Sequence, residues 1–78
     1  GLSVIIEKVE RTTGLSLSEE LRAGRTVVGK AGDLGVALRF PAARNAEVEA
    51  LGAGSSLQVQ ASVADYDNFY RRLVADVV

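Results

Sequence analysis

Three of the four aromatic residues, Tyr66, Phe69 and Tyr70, fall within five positions, with Asn68 among them and Arg71 and Arg72 directly after. Aromatic rings beside guanidinium groups are what stacking on nucleobases and neutralising phosphates require. A plainer account competes with this one. Phe69 would plug the end of a small core, a Tyr hydroxyl would cap a backbone group, and Arg71 and Arg72 would pair with Asp65 and Asp67. Buried aromatics are the usual source of core area in so small a domain, which favours the plainer account. Arg25, Lys30 and Arg39, spread over two strand-like segments, could extend a cationic track; cations on strand faces also protect exposed edges and keep a protein soluble.

Catalytic chemistry has little to work with. The chain has no His and no Cys, which removes the commonest general base, the commonest metal ligands and the thiol nucleophile together. Asp65 and Asp67 would form half of a hard-cation site, but the further acidic ligands and terminal Glu of a calcium loop are missing, and solvated loop acids are the ordinary reading. Glu19 and Glu20, like Glu47 and Glu49, read as charged helix faces. Gly29-Lys30-Ala31-Gly32 lacks the spacing and the following Ser or Thr of a phosphate loop; its glycines read as strand and hairpin geometry. The expectation is a non-catalytic chain without cofactor or metal.

Seventy-eight residues allow one domain, 1–78, with a single modest core that buries about two-thirds of the unfolded surface. Without Cys, its stability has to come from apolar packing. The apolar content of 47% with 24% charged residues is that of a folded domain and unlike a disordered tail. The start at Gly1 and the absence of Met predict a domain excised from a longer protein. Val4-Ile5-Ile6, the longest early apolar run, is too short to span a bilayer, so no membrane insertion by this piece is expected. A net charge of −1 lacks the positive field of many nucleic-acid binders, and any such binding has to rest on a local patch.

The elements that would position these residues follow from periodicity. Leu2, Val4 and Ile6 share one face of a first strand, and a bulge near Glu7-Lys8 would return Val9 to it. Thr12-Thr13-Gly14 breaks that strand. Leu15 to Gly24 reads as a loop with one helical turn. Arg25 to Lys30 forms the second strand, Gly32-Asp33 the hairpin turn, and Leu34 to Phe40 the third strand, with Leu34, Val36, Leu38 and Phe40 inward and Gly35, Ala37 and Arg39 outward. Pro41 to Leu51 reads as one short helix. Leu57, Val59, Ala61 and Val63 alternate with Gln58, Gln60 and Ser62 in a fourth strand buried on one face. Asp65 to Asn68 is loop by composition, and a fifth strand runs from Phe69 to Val78.

This order, a long bulged strand, a Gly-containing hairpin, a helix after Phe40-Pro41, and the segment from Leu51-Gly52-Ala53-Gly54 into the alternating strand to Val63, resembles the OB-fold superfamily from Leu2 to Val78. The resemblance implies an all-β, five-stranded Greek-key barrel with one short helix between the third and fourth strands. It also implies a binding face on the second and third strands and in two flanking loops. The loop from Tyr66 to Arg72 then joins strands four and five, one of the two that grip ligands. The candidate ligand-binding residues are therefore Tyr66, Asn68, Phe69, Tyr70, Arg71, Arg72, Arg25, Lys30 and Arg39, and the leading expectation is a module for single-stranded nucleic acid. The alternative is a protein-interaction or structural module that docks another domain or protein.

Overall fold

The computed structural model describes residues 2–12, 21 and 23–77. It is mostly β, a six-stranded sheet curled into a half-barrel with one short helix. The strands are β1 (Leu2–Arg11), β2 (Arg25–Ala31), β3 (Leu34–Phe40), β4 (Ser56–Val59), β5 (Ala61–Asp67) and β6 (Arg72–Val77). Their order in the sheet is β4-β1-β2-β3-β6-β5. β3 and β6 run parallel, and every other neighbouring pair is antiparallel.

The alternation of apolar residues places the core on the inner face of the curl. Val4, Ile6, Val27, Val36, Leu38, Phe40, Val48, Val59 and Ala75 are buried together there, with Val9, Leu57, Ala61, Leu73 and Val77 packed against them. The β1–β2 register shifts between Ile6 and Lys8. That bulge is the one predicted from the misplaced Val9, and it returns Val9 to the core while sharpening the coil of the strand. The β2–β3 hairpin turns through Gly32 at φ +64°, a conformation that any side chain would strain.

After Pro41 the chain makes a 3₁₀ turn, Ala42–Arg44, that runs directly into helix α1, Asn45–Glu49. A helix this short is not stable by itself, so its position is set by contacts with the rest of the fold. Val48 is fully buried in the core, Arg25 Nε donates to Glu49 Oε1 at 2.9 Å, and Asn45 Nδ2 donates to the Ala23 carbonyl at 2.9 Å. Arg44 lies over the Phe40 ring, 5.0 Å from its centroid. The same guanidinium donates to Glu47 at 2.7 Å, and that hydrogen bond holds the Glu47 carboxyl below its ordinary range.

Five expectations need correction. Leu34, expected inward with Val36, Leu38 and Phe40, is 43% exposed, because it opens β3 next to the hairpin turn at the end of the sheet. The fourth strand does not run unbroken from Leu57 to Val63; it stops after Val59 and resumes at Ala61, with Gln60 between. The reason is that it serves two partners, its first part pairing with β1 and its second with β6. The expected loop at Asp65 to Asn68 is strand as far as Asp67, because ladder pairing with β6 overrides the poor strand propensity of Asp. Val63 is 66% exposed, since β5 lies at the sheet edge and its register shifts between Val63 and Asp65. The last strand begins at Arg72 and leaves Phe69 in the turn before it. The helical turn predicted within Leu15 to Gly24 falls on positions, 13–20 and 22, outside the described residues.

Candidate functional site

The outward face of β1, β2, β3 and β6 carries three cross-strand rows. The first is Ile5, Lys30, Gly35 and Arg72; the second Lys8, Val28, Ala37 and Val74; the third Glu10, Thr26, Arg39 and Asp76. β5 extends them with Asp67, Asp65 and Ser62 respectively. Small apolar residues thus form the middle of the face, and charges border it.

Val28 and Ala37 point away from the core, yet they are only 6% and 3% exposed. Arg72 is among the side chains that border both, lining one cleft with Ala37 and another with Val28. Its Nη2 reaches to 3.7 Å from Glu10 Oε1, although β6 and β1 are three strand spacings apart, on the order of 14 Å. Both side chains have to lie flat toward each other over β3 and β2 for the two ends to come so close. Gly35, cross-strand from Arg72, gives the space for this: a Cβ there would sit 3.3 Å from Arg72 Cβ, tighter than ordinary packing allows.

Arg72 stands between two clefts on this face. One, of about 410 Å³, is lined by Glu10, Thr12, Thr26, Arg39, Tyr66 and Asn68 among others. Its charges balance, with Arg11, Arg39 and Arg72 against Glu10, Asp65 and Asp67. The other, of about 310 Å³, is lined by Lys8, Lys30, Arg71 and Arg72 against Glu7 and Asp33, with Tyr70 on its wall. It is the positive end of the face. Both are open surface clefts in the size range of small-ligand sites.

The turn between β5 and β6 is built by Asp67, whose Oδ1 accepts from the backbone N–H groups of Phe69 at 2.9 Å and Tyr70 at 3.1 Å. This side-chain-to-backbone bonding is why Asp suits a turn. It also holds the two rings away from the core: Phe69 is 84% and Tyr70 64% exposed, and they meet edge to face at 4.8 Å. Arg71 closes the turn at φ +54°, where a glycine would be less strained. Arg72 then stacks on the Tyr70 ring, 4.8 Å from its centroid.

The nine candidates are therefore not one patch. Tyr66, Asn68, Arg39 and Arg72 line the first cleft, and Tyr70, Arg71, Arg72 and Lys30 the second. Phe69 projects beside Tyr70. Arg25 lies apart: it faces α1 and Glu49 at the end of the sheet. Arg39 is paired with Asp76 across β3 and β6. The plainer account of the aromatics does not hold, since Phe69 plugs nothing, Arg72 pairs with Glu10, and Asp67 serves the turn. Glu10, Lys8, Thr12 and Thr26 belong to the face and were missed, because only the sheet order brings β1 and β6 to one surface.

Among the described residues no group of three or more acidic side chains is gathered as a metal site would need. No helix among them is long and apolar enough to cross a membrane. No protein-family model, curated protein or solved structure matches the chain.

Proposed function

We propose that this chain is a non-catalytic binding module of the OB type that takes single-stranded nucleic acid along the outward face of β2 and β3 and against the β5–β6 turn. Topology supports the fold part of this reading. Only Gln60 separates β4 from β5, and counted as one bent strand they join β1 on one side and β6 on the other. That five-stranded path, with a helix between its third and fourth strands and a parallel pairing of its third and last, supports a Greek-key reading of the half-barrel.

The observation that carries the functional part is the exposure of Phe69 and Tyr70 on a turn held by Asp67, with Arg71 and Arg72 beside them. Rings of this size are normally buried in a small domain. Held in solvent next to guanidinium groups, they form a stacking platform with a phosphate contact at its edge. The left-handed conformation of Arg71 is the kind of local strain that persists where a side chain is needed in place.

A fluorescein-labelled oligothymidylate of about 12 nucleotides, within the usual span of such a fold, should bind at low salt and weaken as salt rises. Phe69→Ala and Tyr70→Ala should each cost about 1–3 kcal/mol of affinity. Because Tyr66 and Tyr70 are the only tyrosines and Trp is absent, quenching of intrinsic fluorescence would report stacking at this turn directly. Absence of binding at low salt, or indifference to both substitutions, would overturn the reading. The second reading, a protein-interaction module, draws on β5, an edge strand of the sheet with Val63 exposed, and on the near-balanced net charge.

A further inference from the structure

We infer that Arg72 is an anion-binding residue whose site is occupied, in the free protein, by the chain's own Glu10, and that a phosphodiester of the ligand displaces this carboxylate. The inference rests on the nucleic-acid reading above and says which group on that face meets the backbone.

Three features of Arg72 point this way. Its Nε is buried without a hydrogen-bond partner, a costly condition for a charged donor. Its contact with Glu10, at 3.7 Å, is an ion pair beyond hydrogen-bonding range, so the planar fork of donors that suits a phosphate bidentately is not used. Finally, the guanidinium is stacked on Tyr70, which orients it while leaving its edge to a ligand. Glu10 is also tied elsewhere, its other oxygen lying 3.4 Å from Lys8 Nζ, so it has a second cation to satisfy it once Arg72 turns away.

Displacement would have a further effect. With Arg72 drawn toward a phosphate, the small residues beneath it, Ala37 and Val28, become a flat apolar floor beside the two rings. A base lying there would touch the middle of the face, and the two clefts would join into one groove. The Glu10 carboxylate thus competes with the ligand for one guanidinium.

Removing the competitor tests this. Glu10→Gln should tighten oligothymidylate binding about two- to fivefold, the scale of a loose, part-exposed ion pair, and should steepen the salt dependence by up to about one released counterion. Arg72→Met, which keeps an unbranched stem over Ala37, should abolish that gain when combined with Glu10→Gln; thermal melts of the four proteins show whether each is folded. Inorganic pyrophosphate, followed by the Arg72 Nε–Hε resonance, separates the sources of the anion. Tighter oligonucleotide binding by Glu10→Gln that vanishes with Arg72→Met supports the inference. Equal affinity and equal salt slope for wild type and Glu10→Gln, with wild type binding, overturn it and leave the nucleic-acid reading standing. Pyrophosphate shifting the resonance while no oligonucleotide binds would keep the anion site but overturn the nucleic-acid reading, and no response to either ligand overturns both.

Discussion

On the inner face of β3, Val36, Leu38 and Phe40 are sealed from solvent; on its outer face Gly35, Ala37 and Arg39 lie beneath or beside side chains that could move away. The inner face is closed by many partners from five strands and a helix. The outer face is bordered by side chains such as Arg72, which is held by a stacked ring and a loose ion pair. The same strand therefore supplies a permanent interior on one side and a removable cover on the other. Burial alone does not distinguish these, because Ala37 is nearly as inaccessible as Val36; the difference is how many groups must move to expose each.

The largest expected effect breaks the inner face. Leu38→Ala should lower unfolding stability by about 2–4 kcal/mol in urea denaturation, because a fully buried Leu leaves a cavity that a small core cannot collapse around. A loss below about 1 kcal/mol would mean that the inner face is loosely packed and the contrast between faces is false.

A smaller effect probes the border between the faces. The hydroxyls of Thr12 and Thr26 are 2.8 Å apart and buried at the edge of the first cleft. Thr12→Val should cost about 1–3 kcal/mol, since it strands the Thr26 hydroxyl, whereas the double change to Val should be close to neutral. A double mutant whose loss equals the sum of the two single losses would show that this polar pair is not coupled.

The smallest expected effect lies on the outer side. Phe69→Ala should change unfolding stability by less than about 0.5 kcal/mol, as for other exposed positions without special structure. The same protein would be the one that loses affinity in the oligonucleotide titration. A marked fall in melting temperature would place Phe69 in the interior after all.

The sequence reading and the structure agree where local rules act alone. The bounds of β3, the Gly32 turn, the Glu7-Lys8 bulge and the inward set Val36, Leu38 and Phe40 follow from alternation and turn chemistry, and the structure has them. Disagreement begins where a segment answers to a distant partner. The break at Gln60 exists because β4 and β5 lie at opposite margins of the sheet and pair with different strands, β1 and β6, and no residue type at that position announces it. Asp65 and Asp67 resemble a loop until pairing with β6 is known. Phe69 is apolar and alternates correctly for the interior, but the Asp67 bonds turn the backbone outward before the alternation starts. The Glu10–Arg72 pair joins residues near opposite ends of the chain, and its site was visible only as small residues beside a cation.

The parallel pairing of β3 with β6 also sets a sequence of events in time. The β2–β3 hairpin is local and can form early, but β6 docks beside β3 only after the helix, β4 and β5 have been traversed, and such non-local pairing is slow, in the millisecond-to-second range for small β domains. Until it docks, the chain has no Arg72 over Ala37, no aromatic turn beside Lys30, and neither cleft has both walls. A ligand that spans β1 and β6 consequently recognises a finished fold rather than a forming one, and its binding would stabilise that last step by an amount that grows with the logarithm of its free concentration above Kd.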